Sequence, residues 1–458
     1  MFAMIKEHSD IMIKGGTIVT MDEKRRIIRD GSVVIRKNII AAVGKTDYLT
    51  KKYSSDVVLN AKGKVIMPGL INCHQHTQQS LMKSLVYGEL LGPSIYTEIC
   101  KPFEIALTKK EAYISALLSC IESIKAGVTC LTDPGAYPVE EIANAVKETG
   151  MRAILSKWLY EPDVESEVSY LLPATLKDSL KFLKKWNGKA DGRIRVWFAP
   201  FIMTNTDEEF LKTKELAEKY GVGVQTHLSQ VREEVDYSLK KWQKRPVEHL
   251  EDIGFLGPNV LTAHMIFLSD KEIDILKRHD VKVVHCPTWQ PGYAKVPLML
   301  ERGLTVSLGC DTHSSDIFDM MRIASFIHRY HWGAPYEDVL ALPAERVLEM
   351  ATVNGARSLL LEKEIGSISQ GKKADLIIIN FKKPHLTPSH DVVSDLAELT
   401  FGSDVETVII DGIVVMKDRI IKTVNEEEIL KKVNELCPLV LKRAKIKKIT
   451  PLSRWITI

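Results

Sequence analysis

The 458-residue chain carries no surplus of either charge: 62 lysines and arginines face 59 aspartates and glutamates, for a net charge of +3. That balance builds no basic or acidic field, so neither nucleic acid nor an anionic membrane surface is an implied partner. No apolar run reaches the ~20 residues that span a bilayer, and the opening MFAMIKEHSD lacks the apolar core of a signal peptide. Cysteine is sparse, with seven residues, an odd number, and no C-x-x-C pair. Reduced thiols in a cytoplasmic protein are the expectation. A chain of this length buries a large core and is expected to hold more than one domain.

What is present centres on the stretch Pro68–His76, PGLINCHQH. The apolar run Val65-Ile66-Met67 leads into it. On a strand the side chains alternate, so His74 and His76 emerge on one face. Two imidazoles at that spacing can grip one metal ion and leave its far side open to water and substrate. An isolated H-x-H is weak evidence, and its value depends on what the rest of the chain brings to it.

Residues 11–66 show short strands and turns with no helical period: Ile11–Lys14, then Gly15-Gly16, then Thr17–Thr20, with Ser32–Ile35 and Ile39–Val43 around a polar turn. An antiparallel β arrangement is expected. After Pro68, strands alternate with amphipathic helices, the pattern of a parallel α/β unit. Eight strand candidates are Ile66–Cys73, Val128–Thr132, Arg152–Trp158, Ile194–Ala199, Gly223–His227, Val260–His264, Val281–His285 and Thr305–Leu308. Capping-box patterns at Thr108, Thr206 and Ser269 start helices between them, and Gly127, Gly150 and Gly221 stop others. Eight β/α repeats predict an α/β fold, a (β/α)8 TIM barrel at 67–364, whose active site lies at the C-terminal ends of its strands. The long connection 77–107 is expected to form a lid or a pocket wall.

From about Glu364 the β pattern returns, with a hairpin predicted at Asp411-Gly412. Neither terminal β segment closes a core alone, so 1–66 and 365–424 are expected to meet in a small composite β-sandwich. The tail, 425–458, is expected to be a C-terminal helical extension with a solvated face or a subunit contact.

Metal-binding side chains gather at the predicted strand ends. His74 and His76 follow strand one, His227 ends strand five, His264 ends strand six and Asp311 follows strand eight. Imidazoles with a carboxylate suit a divalent transition metal, zinc first and iron second. Such a metal lowers the pKa of its bound water toward neutrality, and Asp311 could take the proton. Cys73, Cys286 and Cys310 alternate away from the site residues on regular strands, which predicts buried packing. Asp133 is expected to be structural, and His285 and His313 stand evenly between a site role and a structural one.

The anchors PGLINCHQH, GVTCLTD, THLSQ, PVEHL, LTAH, HCPT and LGCD run over nearly the whole chain. With them the sequence resembles the amidohydrolase superfamily, in the branch of triazine hydrolases and methylthioadenosine/S-adenosylhomocysteine deaminases. The resemblance implies one metal held by His74, His76, His227 and Asp311, with His264 contacting the activated water or the substrate. Binuclear relatives use a carbamylated lysine on strand four. Here IRVWFAP has none, and Lys157 falls on strand three, so a mononuclear site follows. A homodimer or homotetramer is also implied.

Two departures stand out. Where such deaminases carry a proton-shuttling glutamate, this chain has Gln230, and an amide cannot deliver a proton. Glu233 or Glu234 could stand in. After strand seven, Trp289 and Tyr293 replace a polar turn and could stack on a flat heterocycle, as could packing alone explain them. The leading expectation is a metal-dependent aminohydrolase acting on a small heterocyclic substrate such as an aminopurine, an adenosine derivative or an aminotriazine. Asp311, His264 and Gln230 would serve the reaction, with His264, Gln230, Trp289, Tyr293 and His313 against the substrate. The alternatives are displacement of another leaving group, such as chloride, from such a ring, and a metal-bound barrel that binds the heterocycle without turning it over.

Overall fold

The computed structural model describes residues 6–83, 85, 96–135, 138–159, 174–289, 294–312, 314–338 and 340–446. The N-terminal stretch supplies β1 (Glu7–Val19), β2 (Ile27–Arg36), β3 (Ile39–Lys45), β4 (Tyr53–Asn60) and β5 (Lys64–Pro68). The middle supplies β6 (Leu70–Asn72), β7 (Val128–Asp133), β8 (Arg152–Leu155), β9 (Ile194–Val196), β10 (Val224–Leu228), β11 (Val260–His264), β12 (Lys282–His285) and β13 (Val306–Leu308). Near the C-terminus come β14 (Leu376–Asn380), β15 (Val405–Ile410), β16 (Ile413–Lys417) and β17 (Ile420–Ile421).

The two terminal segments share one nine-stranded sheet, with β5 lying between β1 and β14. Ile66 pairs with Ile18 on one side and Ile378 on the other. Alternation then sorts the side chains. Ile13, Ile18, Ile35, Ile66, Leu376 and Ile378 close over a core of their own, whereas Ile377, Ile379, Val405 and Val408 join the main core. The expected Asp411-Gly412 hairpin is present, with left-handed φ of +51° and +78°, as a two-residue turn of this kind requires.

Three expectations are corrected. Gly15-Gly16 does not end a strand: β1 runs through it, with its pairing to β2 shifted on either side of Gly16, because a bulge absorbs the extra residue. The sheet is not wholly antiparallel, since β4 and β5 both run parallel to β1. Nor is Ile66–Cys73 one strand. It divides at Gly69 into β5 and β6, which belong to different sheets. A Cβ on Gly69 would sit 2.1 Å from Thr129 Cγ2 and Oγ1, so only glycine lets the chain cross between sheets there.

The middle strands form two four-stranded parallel sheets, β6 to β9 and β10 to β13, each in chain order. Parallel bridges tie Phe198 to Val224 and Gln75 to Asp311, joining each end of one sheet to an end of the other. Helices fill the connections. Capping boxes at Thr108 and Ser269 start two of them, and Thr206 Oγ1 accepts from Glu209 N to start a third.

The helix Glu426–Ala444 packs against the segment that follows His76, rather than presenting only a solvated face. Val440 is buried with Leu81, Met82, Phe103 and Leu107. The Cys437 thiol donates to Leu81 O at 3.3 Å, and Arg443 Nε and Nη2 donate to Ala106 O at 3.1 and 2.9 Å. None of the described helices is long and apolar enough to cross a membrane.

Candidate metal centre

The strand exits bring His74, His76, His227, His264 and Asp311 together, all buried. His74 lies at the hub. Its ring centroid is 5.1 Å from that of His76, 4.6 Å from His227 and 5.1 Å from His264, edge-on to each. Asp311 Oδ1 approaches His76 Nε2 at 3.5 Å and His74 Nε2 at 4.0 Å, and Oδ2 lies 3.9 Å from His264 Nε2.

Local chemistry explains the convergence. Asn72 Oδ1 accepts from the backbone N–H of His74 and of Cys310, at 3.3 and 3.1 Å, lacing the exit of β6 to that of β13. Asp311 N donates to His74 O at 2.9 Å in the same seam. His264 and Asp311 adopt left-handed φ of +77° and +56°, a conformation non-glycine residues seldom hold outside special sites.

His74 Nε2, His76 Nδ1 and both ring nitrogens of His264 are buried without a hydrogen-bond partner. Buried polar atoms are ordinarily paired. Burial also holds the imidazoles neutral, with His76 brought down to about 4, His264 to about 3, and His74 and His227 well below the usual range. Neutral imidazoles with free lone pairs fit a cation. Three buried sets of ligand atoms here lie close enough to share one: His74, His227 and His264; His74, His76 and Asp311; and His264, Cys286 and Asp311. Burial pushes the Asp311 carboxyl up to about 7.

The remaining expected residues divide. Cys73 and Cys310 are buried away from the ligand sets, as alternation predicts, but Cys286 Sγ falls within 4.8 Å of ligand atoms of His264 and Asp311. β12 ends at His285, so the strand alternation that would turn Cys286 aside has already stopped. Its thiol is pushed well up by burial. Asp133 is structural: it accepts from Thr77 N and Oγ1 at 3.0 and 2.6 Å and from Gly135 N at 3.1 Å. His285 Nε2 meets His328 Nε2 at 3.1 Å. Trp289 lies 6.3 Å from His264, ring to ring, with its indole N–H buried and unpaired. Tyr293 and His313 lie outside the described residues.

Gln230 is half-buried just past β10. Neither candidate substitute is available to it. Glu233 is exposed, and Glu234 accepts from Ser229 N on one oxygen and from Gln230 N on the other, at 2.8 and 3.0 Å. Burial raises the Glu234 carboxyl to about 7.

Two residues escape sequence reasoning. Trp158 lies parallel to His227, 5.0 Å away with 8° between planes; its place at a predicted strand end is the only signal. Glu104 Oε1 accepts from Gln78 Nε2 and Gln79 Nε2 at 3.0 and 2.5 Å, and burial raises its carboxyl. Nothing local marks it, because the two glutamines lie just beyond His76, 26 and 25 residues before it.

Comparison with known proteins identifies the family and the fold. The amidohydrolase family model matches residues 65–415. A 5'-deoxyadenosine deaminase of Methanosarcina acetivorans is 38% identical over 445 residues, covering 95% of this chain and 99% of its own. A 5-methylthioadenosine/S-adenosylhomocysteine deaminase of Caldanaerobacter subterraneus subsp. tengcongensis is 37% identical over 429 residues, covering 92% and 96%. Among solved structures, a zinc-bound adenosine deaminase from Xanthomonas campestris superposes with a TM-score of 0.88 at 22% identity, over 96% of this chain and all of that one. The atrazine chlorohydrolase of Arthrobacter aurescens TC1, in complex with zinc, gives 0.82 at 21% identity, over 93% and 100%. The chain belongs to the amidohydrolase family.

Proposed function

We propose that this protein is a metal-dependent aminohydrolase of adenosine-type nucleosides, with one divalent cation, zinc, held by His74, His76, His227 and Asp311. The observation that carries the reading is the convergence of buried, neutral imidazoles: His76 and His74 approach Asp311 at 3.5 and 4.0 Å, His74 Nε2 and His76 Nδ1 are unpaired, and His227 joins His74 in a second set of ligand atoms. The eight parallel strands are taken as one closed (β/α)8 barrel over 67–364, with the composite sheet of 1–66 and 365–424 beside it. Relatives of 37–38% identity bear the names of adenosine-derivative deaminases, which supports that substrate class.

When bound, a divalent cation supplies Lewis acidity that brings water toward its ionised form near neutral pH. Asp311 would take the proton released as water adds to the amino-bearing ring carbon, whose C=N electron pair moves onto the ring nitrogen, and would return that proton to the leaving amine. The C–N bond then breaks and ammonia departs, and the proton of the new hydroxyl passes to the ring nitrogen, leaving a ring carbonyl beside a ring N–H. His264 stabilises charge developing beside it. Gln230 orients the ring by its amide, and Trp289 covers one side. Glu104, a buried carboxylate on the wall that begins at His76, offers an acceptor for substrate hydroxyls.

The experiment is ammonia release from adenosine, 5'-deoxyadenosine, 5'-methylthioadenosine, S-adenosylhomocysteine and aminotriazines, with metal analysis of the same sample. One equivalent of zinc and turnover of a nucleoside support the reading. Bound zinc with no ammonia from any compound overturns it. A second reading, displacement of a halide from such a ring, is favoured by Gln230, because a halide leaves without being protonated. Chloride release from chlorotriazines tests it.

A further inference from the structure

Metal-binding histidines are ordinarily oriented by a hydrogen bond from the ring nitrogen that does not face the metal. Among the described residues, no protein group hydrogen-bonds either ring nitrogen of His227. What it has is a stack. The indole of Trp158 lies parallel to its imidazole at 5.0 Å and 8°, and continues at 6.3 Å and 17° over His76. Phe201 closes the corner edge-on, 6.0 Å from Trp158 and 6.3 Å from His227.

The backbone that carries the indole is itself held on both flanks. Trp158 bridges Ala199 in parallel register, and Leu159 N donates to Ala199 O at 2.9 Å. On the other flank the chain passes so close at Gly135 that a Cβ there would lie 2.8 Å from Trp158 Cβ. Both neighbours are strand exits, so the backbone and Cβ that carry the indole are set by the same framework that presents the histidines. A ring confined by a parallel aromatic face keeps its plane and loses rotational freedom, which is what a hydrogen-bonding partner otherwise provides.

We infer that Trp158 is a positioning residue for the metal site, setting the plane of the His227 imidazole by stacking where a hydrogen bond is customary. The inference rests on the proposed zinc site but not on the reaction. It is tested by titrating metal-stripped protein with zinc ion against a chromophoric chelator. Trp158→Met keeps much of the volume and loses the stack, and Trp158→Phe keeps an aromatic face. Loss of an orienting partner weakens metal affinity about 10- to 100-fold, and that is the change expected for Trp158→Met, with Trp158→Phe within about threefold of the parent. The cobalt-substituted proteins provide the second readout: the d–d spectrum shifts in Trp158→Met and not in Trp158→Phe. Unchanged zinc affinity in Trp158→Met overturns the inference, as does equal weakening in both variants or a parent that binds no zinc. Should Trp158→Met not fold, Gly135→Ala, whose Cβ would displace the backbone and Cβ that carry the intact indole, replaces it in the same titration, and an unchanged constant there is equally fatal. Absence of ammonia release from a parent that binds zinc bears on the proposed reaction alone.

Discussion

Glu234 holds Gln230 from behind: its Oε2 accepts the backbone N–H of Gln230 at 3.0 Å while Oε1 accepts that of Ser229 at 2.8 Å. The buried carboxylate of Glu234 is therefore committed to the backbone of this loop, and Gln230 itself carries no acid. Restoring the acid should restore general-acid help. Gln230→Glu is expected to raise kcat for deamination, by up to ~10²–10⁴-fold if ring protonation limits the parent. Steady-state ammonia release with the best nucleoside of the panel measures it, and a rate no higher than the parent's removes proton delivery from the account.

The same carboxylate predicts a pH dependence of stability. Burial raises Glu234 from an ordinary value of 4.5 to about 7. A raised acid is neutral in the folded state while the unfolded chain ionises. Its contribution is therefore fully present below about 4.5 and is lost as pH rises to about 7, by on the order of 1–3 kcal/mol. Glu234→Gln carries a constant penalty, since its amide N–H₂ faces a backbone N–H, but lacks this slope. Urea unfolding of the metal-stripped proteins from pH 4.5 to 7.5 should show the parent losing stability relative to the variant. A constant difference across that range contradicts the expectation.

Much of the site was legible because metal ligands are few, chemically distinctive and placed at strand ends, where a two-residue period decides which face they share. His74, His76, His227, His264 and Asp311 all meet where that logic puts them. What escaped is interaction that has no local pattern. Strand alternation cannot follow Cys286 past the end of β12, and Trp158 is merely an aromatic residue until Ala199 and Gly135 fix it against His227. The break at Gly69 depends on Thr129, sixty positions away. The terminal β segments revealed their texture but not their parallel pairs, because pairing direction is set by the chain between strands and not by the strands' own composition.

Between the two sheet systems, Arg152 donates from Nε and Nη2 to both oxygens of Asp375, at 2.7 and 2.9 Å, and each side chain is almost wholly buried. β8 and the residue before β14 are thereby locked together. Removing one partner leaves a buried charge uncompensated, so Arg152→Met is expected to cost about 3–5 kcal/mol. The double variant Arg152→Met/Asp375→Leu should recover part of that loss. Denaturant midpoints of the three proteins check it, and a double variant no more stable than the single one contradicts the pairing argument.

The C-terminal helix offers a prediction in which binding and chemistry separate. Arg443 reaches the carbonyl of Ala106 and the carboxylate of Glu111, which also caps the helix starting at Lys109. Between them, Val440 and Cys437 press on Leu81, Met82 and Phe103. This helix therefore braces described parts of the segment from His76 to Glu104, which the sequence reading expects to form a pocket wall. Arg443→Ala removes charge-assisted hydrogen bonds from a half-exposed position, a change of about 1–2 kcal/mol. If the wall contacts substrate rather than the reacting carbon, that loosening appears in KM, by roughly 5- to 30-fold, while kcat and bound zinc stay near the parent values. Arg443→Lys, which can still donate to Ala106 O, should recover part of the loss. Kinetics on the three proteins with metal analysis decide it: a fall in kcat at unchanged KM places the effect of this helix on the reaction instead, and a loss of zinc places it on His76.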